Sequence, residues 1–327
     1  MTRPPALARP WQALWLAAAC GVAAPVAAQG LTPSAGCTEL PFGQELDVGQ
    51  IRALALTPPE AVLDRIASLG IDVYRVPSAA PRRPANPVLL PLAVADPALL
   101  AGAAFESTMQ GRAIPRDATC CSVPRDTILI RDTATTFTLL HEVAHLLIRP
   151  LGAPPLVDVE QRFALAFHRL TVYQRRLYDD PARLLDPRWR RDIVAAQRET
   201  VDLLYDRIRI GQSQEAIVEH VLGRCIDEAS PYRDAARAAE GRRYAVAMVD
   251  NAIDVFNAVH GSIAFCADAV GGLHGDVEAG RIALPPGTAL DAADAAAFSD
   301  AAQALQRDLV RTRGDIEALK RFHSEGR

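Results

Sequence analysis

The stretch Thr135–Pro150 reads TTFTLLHEVAHLLIRP. Apolar residues flank HEVAH on both sides, as in a buried helix that Asp132 or Thr133 can cap and that Pro150, Pro154 and Pro155 end. On such a helix His141 and His145 lie one turn apart on one face, so their imidazoles can hold a metal ion together. Glu142 is turned about 100° from His141 and about 60° from His145. It can therefore reach a water on that metal, and take its proton, without occupying a ligand position. The chain has only seven histidines, so a chance HExxH is a rare event, about one in a hundred. The competing reading is a core helix whose two histidines are satisfied by hydrogen bonds.

Upstream of this helix the signals are mixed. Residues 29 to 56 read as irregular, after which Thr57 caps an expected helix PPEAVLDRIASL that Gly70 ends. IDVYRV and VLLPLAV are strand candidates either side of the proline-rich PSAAPRRPANP, and TILIR, Thr127–Arg131, is a third. Downstream the pattern is helical nearly to the end. Asp158 can cap VEQRFALAFHRLTVYQRRLY; PRWRRDIVAAQRETVDLLYDRI follows, then a Ser213-capped QEAIVEHVLGRCIDEA and long segments near 233 to 270 and 291 to 322. In the last, Phe298, Ala301, Leu305, Leu309, Ile316, Leu319 and Phe322 trace an apolar stripe, with a register break expected near Gly314. Arg188, Arg190 and Arg191 around Trp189 read as a solvated helix face.

The first 28 residues have the charged, apolar, small-residue order of a secretory signal peptide: Arg3 and Arg9, an apolar run from Trp11 to about Ala24, and Val26-Ala27-Ala28 before Gln29. The run is short of the roughly 20 apolar residues that span a bilayer, and no later segment is expected to do so. The expectation is export to the periplasm or outside the cell, with a lipoprotein anchored through Cys20 as the lesser alternative. Cys37, Cys120, Cys121, Cys225 and Cys266 then meet an oxidising compartment. Cys225 with Cys266, and Cys37 with one of the vicinal pair, is the expected pairing. A net charge of −4 and a pI near 6 give no general attraction for nucleic acid or an anionic membrane surface.

The HEVAH helix resembles the active-site helix of the zincin metallopeptidases, over the segment from TILIR to the helix starting near Asp158. The metzincin extension is absent, since Ile148 and Leu151 stand where its glycine and third histidine belong. The chain is thus similar to gluzincin-type sites and to uncharacterised putative metallopeptidase families, in which an acidic residue on the following helix completes the site. By that spacing the resemblance implies one zinc ion held by His141, His145 and Glu160, with Asp158 as the rival third ligand and Glu142 as the base. It implies an α+β, predominantly helical fold: a small zincin-like α/β part (29–149) ending in the active-site helix, then a large helical bundle (150–327). It also implies a peptide or protein substrate held along an edge strand, for which TILIR is the candidate. His168, His220, Tyr173, Tyr178 and Tyr205 are candidates for stabilising an oxyanion. Two other readings remain: a zinc hydrolase of some non-peptide amide, and an exported helical binding or assembly protein whose zinc site is non-catalytic or absent. Oligomeric state is open.

Overall fold

The computed structural model describes residues 48–79, 85–106, 109–148, 154–240 and 244–325. The expected leader, Met1–Ala28, lies outside them, as do Cys20 and Cys37. The chain is predominantly helical with one small sheet. In order, helix α1 (Val48–Ala55), helix α2 (Val62–Ser68) and strand β1 (Asp72–Val76) are followed by helix α3 (Pro97–Gly102) and strands β2 (Gly111–Ile114) and β3 (Thr127–Arg131). Helices α4 (Thr136–Leu147), α5 (Leu156–Asp179), α6 (Pro187–Cys225), α7 (Arg233–Glu240), α8 (Tyr244–Glu278) and α9 (Ala292–Glu325) complete the described chain.

The sheet order is β1-β3-β2, with β1 parallel to β3 and β2 antiparallel to it. TILIR is therefore the central strand. Thr127 to Ile130 are all buried, as a strand covered on both faces requires: Ile128 and Ile130 join the core under α4, while Leu129 joins a smaller cluster with Ile114 and Val157. The edge beside α4 falls to GRAI, too short and too polar to stand out in the sequence. VLLPLAV forms a short 3₁₀ turn, Pro87–Leu89, with a single bridge from Arg75 to Val94, because two prolines withhold ladder donors. The segment expected to be irregular before residue 56 contains α1, whose Ile51 and Leu54 are buried against α4 and α6.

Caps also differ from expectation. Thr135, not Asp132 or Thr133, caps α4 by accepting from the Thr138 N–H at 3.2 Å, while Asp132 accepts from the N–H of Ser78 at 3.1 Å. Pro58 precedes the 3₁₀ turn leading into α2, and Thr57 donates back to the Ala53 carbonyl at 2.7 Å. Asp158 lies inside the first turn of α5 and accepts from the N–H groups of Thr119 and Cys120, each at 2.9 Å.

Two separately expected helices merge into α6, which runs unbroken through Gly211 and Ser213. Its residues Leu204, Ile208, Gly211, Glu215, Val218, Leu222 and Cys225 repeat at intervals of four and three and are all buried, a continuous inward stripe that favours one helix over two. In α9 the inward stripe is Phe298, Ala302, Leu305, Leu309, Thr312 and Ile316. Thr312 fills the place where a register break was expected, its hydroxyl satisfied by the Asp308 carbonyl. Arg190 is buried rather than solvated, donating to the carbonyls of Leu184, Leu185 and Ala289.

Neither the expected Cys225–Cys266 pair nor the pairing of Cys37 with one of the vicinal cysteines forms. Cys120 and Cys121 are bonded to each other, Cys225 is in a disulfide, and Cys266 is a free buried thiol that burial raises to about 12. For the first pair the reason is topological: Cys225 belongs to the core shared with the sheet and Cys266 to the core of α5, α6, α8 and α9. Within that helical core Leu309 is fully buried. Leu309→Ala is expected to cost about 2–5 kcal/mol by lost burial and residual cavity, read as a lowered urea midpoint with an unchanged slope.

Candidate metal centre

Helix α4 is fixed from both sides: β2 and β3 pack on one flank, α1 and α6 on the other. Leu139, Leu140, Val143 and Ala144 are buried in the core, which leaves His141, Glu142 and His145 on the remaining arc. As the spacing of HEVAH requires, both imidazoles present Nε2 to one place, 3.2 Å apart. The third group is Glu215 of α6. Its Oε2 lies 3.0 Å from His141 Nε2 and its Oε1 3.2 Å from His145 Nε2. These three residues could hold a metal ion. Both carboxylate oxygens of Glu215 are buried and, among the described residues, face only the two imidazole nitrogens, a set of donor atoms that a cation between them would satisfy.

Glu160 is placed elsewhere. Its carboxylate is buried between the guanidiniums of Arg112 on β2 and Arg207 on α6, bonded to the first and 3.7 Å from Nε of the second. Asp158 is occupied by the Thr119–Cys120 backbone. The structure thus brings His141, Glu142 and His145 together as the motif implies, and supplies the third donor from residue 215 instead of 160. Glu160 faces a buried pair of cations, and nothing less than a counter-charge makes its own burial tolerable.

Glu215 left a signal in the sequence. It is the one carboxylate in the 4–3 stripe of α6, between Gly211 and Val218. A charged residue at an inward position calls for a buried partner. Splitting α6 at Ser213 put Glu215 in a first turn, where a carboxylate is unremarkable.

The electrostatics of the metal-free group follow from this packing. Burial lowers the His141 pKa, but the charge and hydrogen bond of Glu215 outweigh it and raise the imidazole to about 9. Burial raises the Glu215 carboxyl, and the two imidazoles pull it well below the usual carboxylate range. Glu142 differs: burial pushes its carboxyl upward and the pull of His145 and His141 does not cancel the effect. Its neighbour is Gly111 of β2, where a Cβ would lie 2.6 Å from both Cγ and Oε1 of Glu142. The absent side chain is what allows the edge strand and the carboxylate to meet. Of the oxyanion candidates, His168, His220 and Tyr178 are exposed, Tyr173 packs edge-on against Trp189, and Tyr205 is half-buried on α6.

Against protein-family models, curated proteins and solved structures, no match is found.

Glu215→Ala is expected to lower metal affinity at least tenfold, and Glu160→Ala, if it folds, to leave the metal stoichiometry unchanged; elemental analysis after dialysis reads both. A histidine must lose its proton to ligate. Since His141 holds its proton up to about pH 9 in the metal-free protein, apparent affinity should rise about tenfold per pH unit below that value and flatten above it. Competition titration with a chelator of known affinity gives the slope.

Proposed function

We propose that the protein is a zinc-dependent hydrolase of the zincin kind, acting on peptide bonds outside the cytoplasm. The observation that carries this reading is the triad of donors with a separate buried glutamate beside it. Two ligands of a tetrahedral zinc, at bond lengths of about 2.0–2.1 Å, lie about 3.3 Å apart. The His141–His145 and histidine–carboxylate separations of 3.0–3.2 Å match that edge. Two imidazoles and one carboxylate are the donor set of catalytic rather than structural zinc, because they leave a coordination place for water. Zinc bound there supplies the Lewis acidity that makes water a nucleophile near neutral pH.

The chain's own residues do the rest. Glu142, one residue along from His141, is not needed to complete the triad and is free to act as general base. Burial lifts its carboxyl upward, in the direction that brings a base closer to its working pH. β2 is the edge strand packed beside α4, and an extended peptide can pair along it by backbone hydrogen bonds. Gly111 at its start sets how near such a peptide comes to Glu142. The charged, apolar, small-residue order of Met1–Ala28 in the sequence supports the export part of the reading. The size of the helical core, well beyond what carries the triad, favours one alternative, an exported binding protein with a non-catalytic metal site.

Two substitutions test the reading. Glu142→Gln should keep its zinc and lose about 10²–10⁴-fold in turnover of a peptide library; undiminished turnover would reject the base. Gly111→Ala should keep both fold and metal while displacing the Glu142 side chain, with about 10²-fold lost in kcat. Zinc bound tightly by the wild type, without cleavage of any peptide offered, would favour the binding-protein alternative.

A further inference from the structure

Beside the metal centre two arginines converge on one carboxylate. Arg112 (β2) bonds Glu160 Oε2 and donates to Met109 Sδ at 2.8 Å. Arg207 (α6) has only a 3.7 Å contact with Glu160 Oε1 and lies 5.1 Å over the Phe163 ring. Both arginines are 6% exposed, and Nε of each is buried without a hydrogen-bond partner, that of Arg207 having Glu160 only at ion-pair distance. Among the described residues Glu160 is the one carboxylate within 4 Å of either guanidinium, so two buried forks share one anion and keep donors to spare.

The cluster adjoins the proposed reaction centre through three elements. Arg112 follows Gly111, the residue in contact with Glu142, and its charge acts on the Glu142 carboxyl. Arg207 stands eight residues before Glu215 on α6, about 12 Å along one helix. The arginines are enclosed to the same degree as His141 at 6% and Glu142 at 9%.

We infer that Arg207, with Arg112, forms a subsite for a carboxylate of the substrate, located beside the metal centre and sharing Glu160 as a resident counter-ion. The inference rests on the peptidase reading for its substrate class, peptides bearing a carboxylate near the bond cut. That carboxylate is either the chain terminus, which would make the protein a carboxypeptidase, or an acidic side chain. A guanidinium with donors to spare takes either by a paired hydrogen bond.

The test uses the full-length Glu142→Gln protein, as purified and again after chelation, in isothermal titration calorimetry. The probes are acetyl-Ala-Ala-Ala with a free carboxylate, its C-terminal amide, and acetyl-Ala-Asp-Ala-amide. The free acid, the aspartyl peptide or both should bind at least tenfold more tightly than the neutral amide, and which of them does so names the source of the charge. The preference should survive chelation. Arg207→Met should abolish it and Arg207→Lys reduce it in part. Glu160→Gln, which removes the resident anion, should enlarge it. Both Arg207→Met and Glu160→Gln break the same ion pair, so a purely structural cluster would move them in one direction. Equal binding of all three probes to the unsubstituted arginines, or the same shift in both variants, overturns the subsite. A carboxylate preference in Glu142→Gln, together with no peptide turnover by the zinc-loaded wild type, would retire the peptidase reading and leave the subsite standing.

Discussion

One helix, Pro187–Cys225, belongs to two cores at once, and the architecture depends on its being unbroken. Its first half packs Ile193, Leu204 and Ile208 into the helical core; its last turns pack Val218, Val221 and Leu222 under the sheet and α4. Across the join between those anchors it carries Arg207, next to Ile208, and Glu215, three residues before Val218. A break near Gly211 would let the two ends settle independently, and the Glu215 carboxylate would have no fixed relation to the imidazoles. The 4–3 spacing of inward residues across the whole length holds the two ends in one register.

The second constraint is charge. The region around α4 buries one imidazole, three glutamates and two arginines and half-buries a second imidazole, a density that a protein interior accepts only when each group has a counterpart. The pairings divide the residues by role. Glu215 faces the histidines, Glu160 faces the arginines, and Glu142 is the member with no fixed opposite charge at bonding distance, which is why its carboxyl moves upward while that of Glu215 moves down. The same residue type thus sits in three different electrostatic settings according to what lies opposite.

Much of this was legible in the sequence. HEVAH on a capped, apolar helix, IDVYRV and TILIR as strands, Gly70 as a helix stop and the helical character after residue 155 all follow from local pattern, because each rests on neighbours within a turn or two. What escaped depends on distant chain. Glu160 lay at the expected interval after His145, yet interval says nothing of which way a first-turn carboxylate faces, and Arg112 and Arg207 claimed it. Glu215 is seventy residues from His145 and was hidden by reading Ser213 as a cap. GRAI is four residues long, its alternation too brief to register, and its identity as an edge appears only once TILIR is seen to be covered on both sides. The cysteine pairing required knowing that Cys225 and Cys266 sit in different cores.

The distance along the chain between Glu215 and the two histidines also orders how the centre comes into being. The histidines share a helix and are placed as soon as that helix forms, but two donors make a weak grip. The third arrives only when α5 has turned back and α6 has docked, after a loop of about seventy residues has closed, at an entropic cost that grows slowly with length. The centre is thus a late product of assembly rather than a nucleus for it. A chain still emerging, or still unfolded, holds the motif without the three converging donors, which come together only once the long helix has joined the two cores.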